Sequence, residues 1–244
     1  MRAAGHVLAD LIAEIREQVA PGVSPLDLDR LFEEGLKRKG ARSAFKGYQP
    51  GPEFRPFPNT ICSSKNSQVV HGIPDAVPLV EGDLVSLDFG LEYRGYFADS
   101  AFSVYLGDPA PRVQELLDVT QESLYKAVSR AVPGARIGDL GNLIQQTCES
   151  KGLGVVREYV GHGIGRQMHE PPSVPNFGKT NTGVVLKPGM CLAIEPMITL
   201  GSYRTRTMKD RWTVVTEDGS LAAHFEHTVL ITEQGPEILT IHPN

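Results

Sequence analysis

Four carboxylates and a histidine carry the chemistry open to this chain. Asp88 and Asp99 stand eleven residues apart on either side of Tyr93-Arg94-Gly95, a turn sequence that predicts a hairpin. Pairing about Tyr93-Arg94 sets residue 88 opposite residue 99, with Cβ atoms about 4.5–5.5 Å apart, where two like charges repel unless a cation lies between them. Further on, Glu195 ends an apolar strand and Glu226 stands just before Val229-Leu230-Ile231, with Glu217-Asp218-Gly219-Ser220 read as a hairpin turn upstream. Two acids on adjoining strands in each half, brought to one centre, call for two divalent cations. Gly161-His162-Gly163-Ile164-Gly165 offers a nitrogen ligand where glycine permits close backbone approach. His169 follows seven residues later, and His71 lies in Val70-His71-Gly72-Ile73-Pro74-Asp75. The remaining histidines, His6, His224, His227 and His242, have no comparable setting. Two cations about 3.5–4 Å apart can activate water and polarise a carbonyl, so hydrolysis is the expected reaction class. Oxygen-rich ligation with one nitrogen suits Co, Mn, Fe(II) or Zn without choosing among them.

These residues must be held by a scaffold, and the scaffold repeats. Val7, Leu8, Leu11, Ile12, Ile15 and Val19 form one buried helix face that ends at Pro21-Gly22. A second helix starts at Ser24-Pro25, carries Leu28, Leu31, Phe32 and Leu36 on one side, and closes at Gly40. The unit recurs at an offset of 112: a stripe from Val113 to Val128 runs into Pro133-Gly134, and a fourth helix reaches Gly152. The strands after each unit correspond too, and Asp88 falls on Glu195, each read as the end of its strand. Between them, Pro50 to Pro58 reads as an irregular loop. We therefore expect one domain over residues 1–244, built from halves that meet near Gly107 (1–107 and 108–244).

Composition narrows the partners. The chain has 244 residues, of which 41% are hydrophobic and 22% charged, an ordinary globular balance. Net charge is −5, without the basic excess of a nucleic-acid footprint. Cys62, Cys148 and Cys191 form no C-x-x-C pair, no apolar run approaches the about 18 residues of a membrane span, and the acidic N-terminal segment lacks a signal-peptide core. A cytoplasmic protein with a small or peptidic substrate is expected. No phosphate-binding loop or nucleophile elbow is present.

At this point the motifs are those of a family. The chain resembles, end to end, a type I methionine aminopeptidase of the pita-bread metallopeptidases. The resemblance rests on the His71 loop, Asp88 with Asp99, the His162 motif with His169-Glu170, Ile194-Glu195-Pro196-Met197, and Glu226-His227-Thr228. It implies an α+β fold: a pseudo-twofold antiparallel sheet covered by two helix pairs. It implies Asp88, Asp99, His162, Glu195 and Glu226 as ligands of two divalent ions, bridged by Asp99 and Glu226. His169 would contact the scissile amide, His71 would assist the leaving amine, and Glu195 would shuttle the proton, the division of acid–base work between Glu195 and a histidine staying open. A methionine pocket of Phe54, Phe57, Cys62, Met168 and Trp212 is implied as well, though many relatives have Tyr in place of Phe54 and an aromatic residue in place of Met168. The expected substrate is the N-terminal methionine of nascent polypeptides and peptides, with a small second residue, cleaved by a monomer near the ribosome.

Two other readings belong to the same scaffold. Relatives that cleave next to proline usually carry an extra N-terminal domain and follow the last glutamate with Asp or Asn, where this chain has His227. Non-catalytic relatives typically lose ligands, and here all five are present. The 31-residue step from Glu195 to Glu226 leaves no room for the helical insertion of type II enzymes.

Overall fold

The computed structural model describes residues 1–52 and 54–241; Glu53, within the Pro50–Pro58 loop, and His242 lie outside the described residues. The apolar stripes become four helices: α1 (Arg2–Arg16), α2 (Pro25–Lys39), α3 (Pro111–Arg130) and α4 (Ile137–Glu149). α1 stops before Pro21-Gly22, leaving Val19 outside the helix. α2 begins in a capping box, with Ser24 Oγ accepting the Asp27 N–H while the Asp27 carboxylate accepts from Ser24.

The described residues form fifteen strands: β1 (Arg42–Ser43), β2 (Ile61–Lys65), β3 (Gln68–Val70), β4 (Leu84–Tyr93), β5 (Tyr96–Tyr105), β6 (Gly154–Val155), β7 (Gly161–Gly163), β8 (Glu170–Val174), β9 (Cys191–Ile194), β10 (Met197–Thr199), β11 (Thr205–Thr207), β12 (Val214–Thr216), β13 (Ala222–His224), β14 (Glu226–Thr232) and β15 (Gly235–Ile238). The main sheet is a curled antiparallel half-barrel ordered β1-β4-β5-β14-β9-β7-β8, with β2 also on β4 and β15 also on β14. Two three-stranded sheets, β13-β10-β6 and β11-β12-β3, flank it. This is the α+β architecture expected.

Strand alternation sorts the main sheet into two faces. Leu87, Phe89 and Leu91 of β4, Ala98 and Phe102 of β5, Leu192 and Ile194 of β9, and Val229 and Ile231 of β14 join Leu8, Leu11, Phe32, Leu116 and Leu140 of the helices in one buried core. Each such leucine contributes roughly 1.5–3 kcal/mol by leaving water. The alternate positions therefore lie on the face turned away from the helices.

Three local expectations are corrected. The β4–β5 turn centres on Arg94-Gly95, with φ values of 54° and 82°, so Tyr93 pairs with Tyr96 and Asp88 with Ala101 rather than with Asp99. The register is displaced by two residues, which preserves the face, so both acids still lie on one side. Asp88 sits in the middle of ten-residue β4 rather than at its end. Glu217-Asp218-Gly219-Ser220 turns the chain without making a hairpin, because β12 pairs with β11 and β3 whereas β13 pairs with β10.

Candidate metal centre and active site

The pairing register arranges the five candidate ligands in two adjacent rows across the sheet. In the first row Cys62 lies opposite Asp88, Asp88 opposite Ala101, and Ala101 opposite Glu226. Ile194 pairs with His227, so the following residue, Glu195, comes beside Glu226. In the second row Thr228 pairs with Ala193 and Ala193 with His162. Asp99 joins this row through Thr228, whose Oγ1 accepts the Asp99 N–H at 3.0 Å and donates to the Asp99 carbonyl at 2.8 Å. The short side chains of Ala101, Ala193 and Thr228 leave the space between the rows to the acids and the imidazole.

Ligand atoms of Asp99, His162 and Glu226 lie within 4.8 Å of one another. His162 Nε2 is 3.5 Å from Glu195 Oε1 and 3.7 Å from Asp99 Oδ2. His162 Nδ1 stands 2.8 Å from the Gly163 carbonyl; assigned as the donor, it leaves Nε2 with a lone pair facing the acids. The glycines beside His162 are required, since a Cβ at Gly161 would fall 2.3 Å from the Ala193 carbonyl oxygen and one at Gly163 would fall 2.3 Å from that of Pro171.

Electrostatics show what this cluster lacks. Burial, reinforced by neighbouring carboxylates, pushes the carboxyls of Asp88, Glu195 and Glu226 well above their ordinary range, and burial raises Asp99 to about 8. Asp88 Oδ1, Asp99 Oδ1 and Glu226 Oε1 are buried without a hydrogen-bond partner. His162 and His224 approach the cluster, and burial keeps both below the usual imidazole range, His224 at about 3. Buried anions left so cost several kcal/mol each. The donor set of carboxylate oxygens with one imidazole fits divalent cations, which would supply the missing charge.

The cluster forms the floor of a cavity of about 740 Å³, and His71, His169, Phe54, Phe57, Cys62, Met168 and Trp212 all line it. Phe57, Cys62 and Trp212 share one apolar cluster, against which Phe54 packs. Trp212 lies 5.2 Å from Phe57 and 5.8 Å from Phe54 between ring centres, and its Nε1 donates to the Arg55 carbonyl at 3.0 Å. Met168 lines the same cavity from a separate apolar cluster, packing with Ala44 and Ile164. Burial raises the Cys62 thiol far above its ordinary value, so it stays protonated beside Asp88. The His169 ring centre lies 4.3 Å from that of His162, tilted by 53°, and burial followed by His162 lowers its imidazole to about 4. His71 adopts a left-handed backbone, φ 58°, and is likewise lowered to about 4 by burial and by His169. Both rings are thus neutral near pH 7, each with one N–H and one lone pair.

The structure adds residues that sequence reasoning passed over. Phe45, Tyr48 and Tyr159 also line the cavity, Tyr48 lying 5.2 Å from the His169 ring and Tyr159 5.6 Å from His71. His224 reaches the centre as well, its Nε2 4.0 Å from both Glu195 Oε2 and Glu226 Oε2, which corrects its dismissal as a histidine without context. Its position two residues before Glu226 was the available signal. His227 turns toward the helices, with Nδ1 2.9 Å from Thr240 Oγ1, and His6 is exposed on α1.

Comparison with known proteins agrees with this geometry. The model of metallopeptidase family M24 matches residues 1–233. A methionine aminopeptidase of Clostridium perfringens is 45% identical over 241 residues, covering 99% of this chain and 94% of that protein. The crystal structure of methionine aminopeptidase from Thermotoga maritima superposes with a TM-score of 0.94 at 46% identity, covering 99% of this chain and 95% of the other. Prolidase from Pyrococcus furiosus, with a TM-score of 0.79 and 23% identity over 63% of its length, shares the fold. Two rows of ligands on a half-barrel floor, an aromatic wall above them and relatives matched almost end to end lead to one conclusion: the chain belongs to metallopeptidase family M24, among its type I methionine aminopeptidases.

Proposed function

We propose that this chain is a metal-dependent aminopeptidase that removes the initiator methionine from nascent polypeptides and peptides, preferring a small second residue. The observation that carries this reading is one cavity joining the carboxylate–imidazole cluster to the wall of Phe57, Cys62 and Trp212. A flexible thioether suits that wall, because sulfur–aromatic contacts add about 0.3–1.5 kcal/mol to apolar burial. Asp88, Asp99, His162, Glu195 and Glu226 would hold two divalent ions. Bound there, such ions polarise the scissile carbonyl and make water nucleophilic near neutral pH. Glu195 takes the proton from the attacking water and returns it to the leaving amine, assisted by His71. His169 donates its N–H to the oxygen of the tetrahedral intermediate. Phe54 and Met168 complete the side-chain pocket.

The same reading places the protein in the cytoplasm as a monomer close to the ribosome, and treats residues 1–107 and 108–244 as related halves of one domain. A panel of Met-Ala, Met-Leu and Pro-containing peptides, with Mn(II), Co(II) or Fe(II) added to chelated protein, should show turnover of Met-Ala alone and only with metal. Cleavage regardless of the first residue would sink the assignment.

A further inference from the structure

His224 is a buried side chain for which the reaction above has no use. It is 2% exposed, and its Nε2 lacks any hydrogen-bond partner. That atom stands 4.0 Å from Glu195 Oε2 and 4.0 Å from Glu226 Oε2. Of the other oxygens, Glu195 Oε1 lies 3.5 Å from His162 Nε2, and Glu226 Oε1 is buried without a partner. Each glutamate therefore presents one oxygen to His224 and keeps the other for the centre. His224 itself is not among the ligand atoms of Asp99, His162 and Glu226 that gather within 4.8 Å.

The backbone of His224 is clamped. Ser103 Oγ accepts the His224 N–H and donates to the His224 carbonyl, both at 2.8 Å. That uses the only hydroxyl proton of Ser103, so the 2.7 Å contact with Ser86 Oγ is donated by Ser86. Ser86 and Ser103 face each other across β4 and β5, two residues from the Asp88–Ala101 pair. The strands that carry Asp88 thus also fix the position of the imidazole.

We infer that His224 is a positioning residue of the metal centre, its Nε2 placed equally far from Glu195 Oε2 and Glu226 Oε2, so that when the cations draw in the two Oε1 atoms its N–H closes onto the Oε2 atoms and holds both carboxylates in that orientation. Carboxylate ligands are ordinarily held by such outer hydrogen bonds, whose loss weakens metal binding. Here one imidazole serves two ligands that come from β14 and from the end of β9. The inference rests on the metal-dependent reading proposed above.

The test compares His224→Gln, which keeps an N–H donor, with His224→Met, of similar length and without one. Co(II) is titrated into the chelated proteins, reading affinity by calorimetry and ligand geometry by visible absorption, after melting curves have shown that each variant folds. His224→Met should weaken Co(II) binding about 10–100-fold and alter the absorption bands, whereas His224→Gln should stay within about threefold of wild type. His224→Leu replaces the Met variant should that chain not fold. Equal affinity and spectra for the donor and non-donor variants would overturn the inference while leaving the metal reading intact. A matching loss in both variants would overturn it too, making His224 a ligand rather than a positioning group. Failure of the wild type to bind Co(II) would remove the metal reading and this inference together.

Discussion

Asp88 and Glu226 flank Ala101 from either side, each paired with it across a neighbouring strand. Adjacent strands lie about 4.7–4.9 Å apart, so the two acids start roughly 10 Å from each other with only the methyl group of Ala101 between them. Ala101→Leu should fill that gap. We expect Co(II) or Mn(II) stoichiometry and peptidase activity to collapse although every ligand is retained, with overpacking costing about 1–3 kcal/mol in denaturant melts. Full metal loading of this variant would show that the row does not converge over Ala101.

Asp99→Asn replaces an acid that reaches Glu226 and His162 within one cluster. A neutral amide bridges two cations poorly. Activity should fall more than about 100-fold, beyond the usual range for outer-shell substitutions, and metal content should drop. A variant with full rate and stoichiometry would rule out Asp99 as the bridge.

Chelated protein should lose stability as pH rises. Burial holds Asp99 at about 8 against an ordinary 3.8, and Asp88, Glu195 and Glu226 are raised as well. A carboxyl raised in the fold leaves stability intact below its unfolded pKa, near 4, and withdraws it progressively as pH climbs through the folded value. The gap in melting temperature between metal-loaded and chelated protein should therefore widen from about pH 4 to about pH 8. A constant gap would mean that the acids are not forced together without metal.

Trp212→Ala should act on binding more than on chemistry. The indole packs on Phe54 and Phe57 and is anchored by the Arg55 carbonyl, in the apolar cluster with Cys62. Losing contact with an unreactive side chain removes ground-state and transition-state binding alike, so KM for Met-Ala peptides should rise about tenfold with a smaller change in kcat. A loss confined to kcat would contradict this pocket assignment.

Asp29 supports the site from a distance. Its carboxylate accepts from Thr60 N–H at 2.7 Å, Thr60 Oγ1 at 2.7 Å, Ile61 N–H at 3.1 Å and Asn59 Nδ2 at 2.7 Å, tying α2 to the start of β2 and so to Cys62. Asp29→Leu should cost about 3–5 kcal/mol in urea unfolding, because several buried donors lose their acceptor together. A change below about 1 kcal/mol would mean that these donors find other partners.

Legibility differed between local and long-range features. The helix stripes, the Ser24 cap and the Gly161 and Gly163 flanks of His162 are set by side chains a few positions apart, and the sequence displays them directly. The hairpin centre was misplaced by one residue because Arg94 adopts a left-handed φ ordinarily left to glycine or asparagine, yet the face assignment of Asp88 and Asp99 survived because alternation has a period of two. His224 escaped notice because its relation to Glu195 and Glu226 passes through β13, β9 and β14, and through a serine pair on β4 and β5. Tyr48 and Tyr159 were missed for the same reason.

By itself, then, the sequence determined which side chains have the chemistry to bind cations and which stripes must be buried, since both depend on residue type and short-range period. The tertiary structure alone decided that Ala101, Ala193 and Thr228 leave the gap in which those acids meet, and that His224 stands behind two of them. Cross-strand neighbours are fixed by pairing register between segments far apart in sequence, Glu226 with Ala101 and His227 with Ile194, and no local pattern encodes that register.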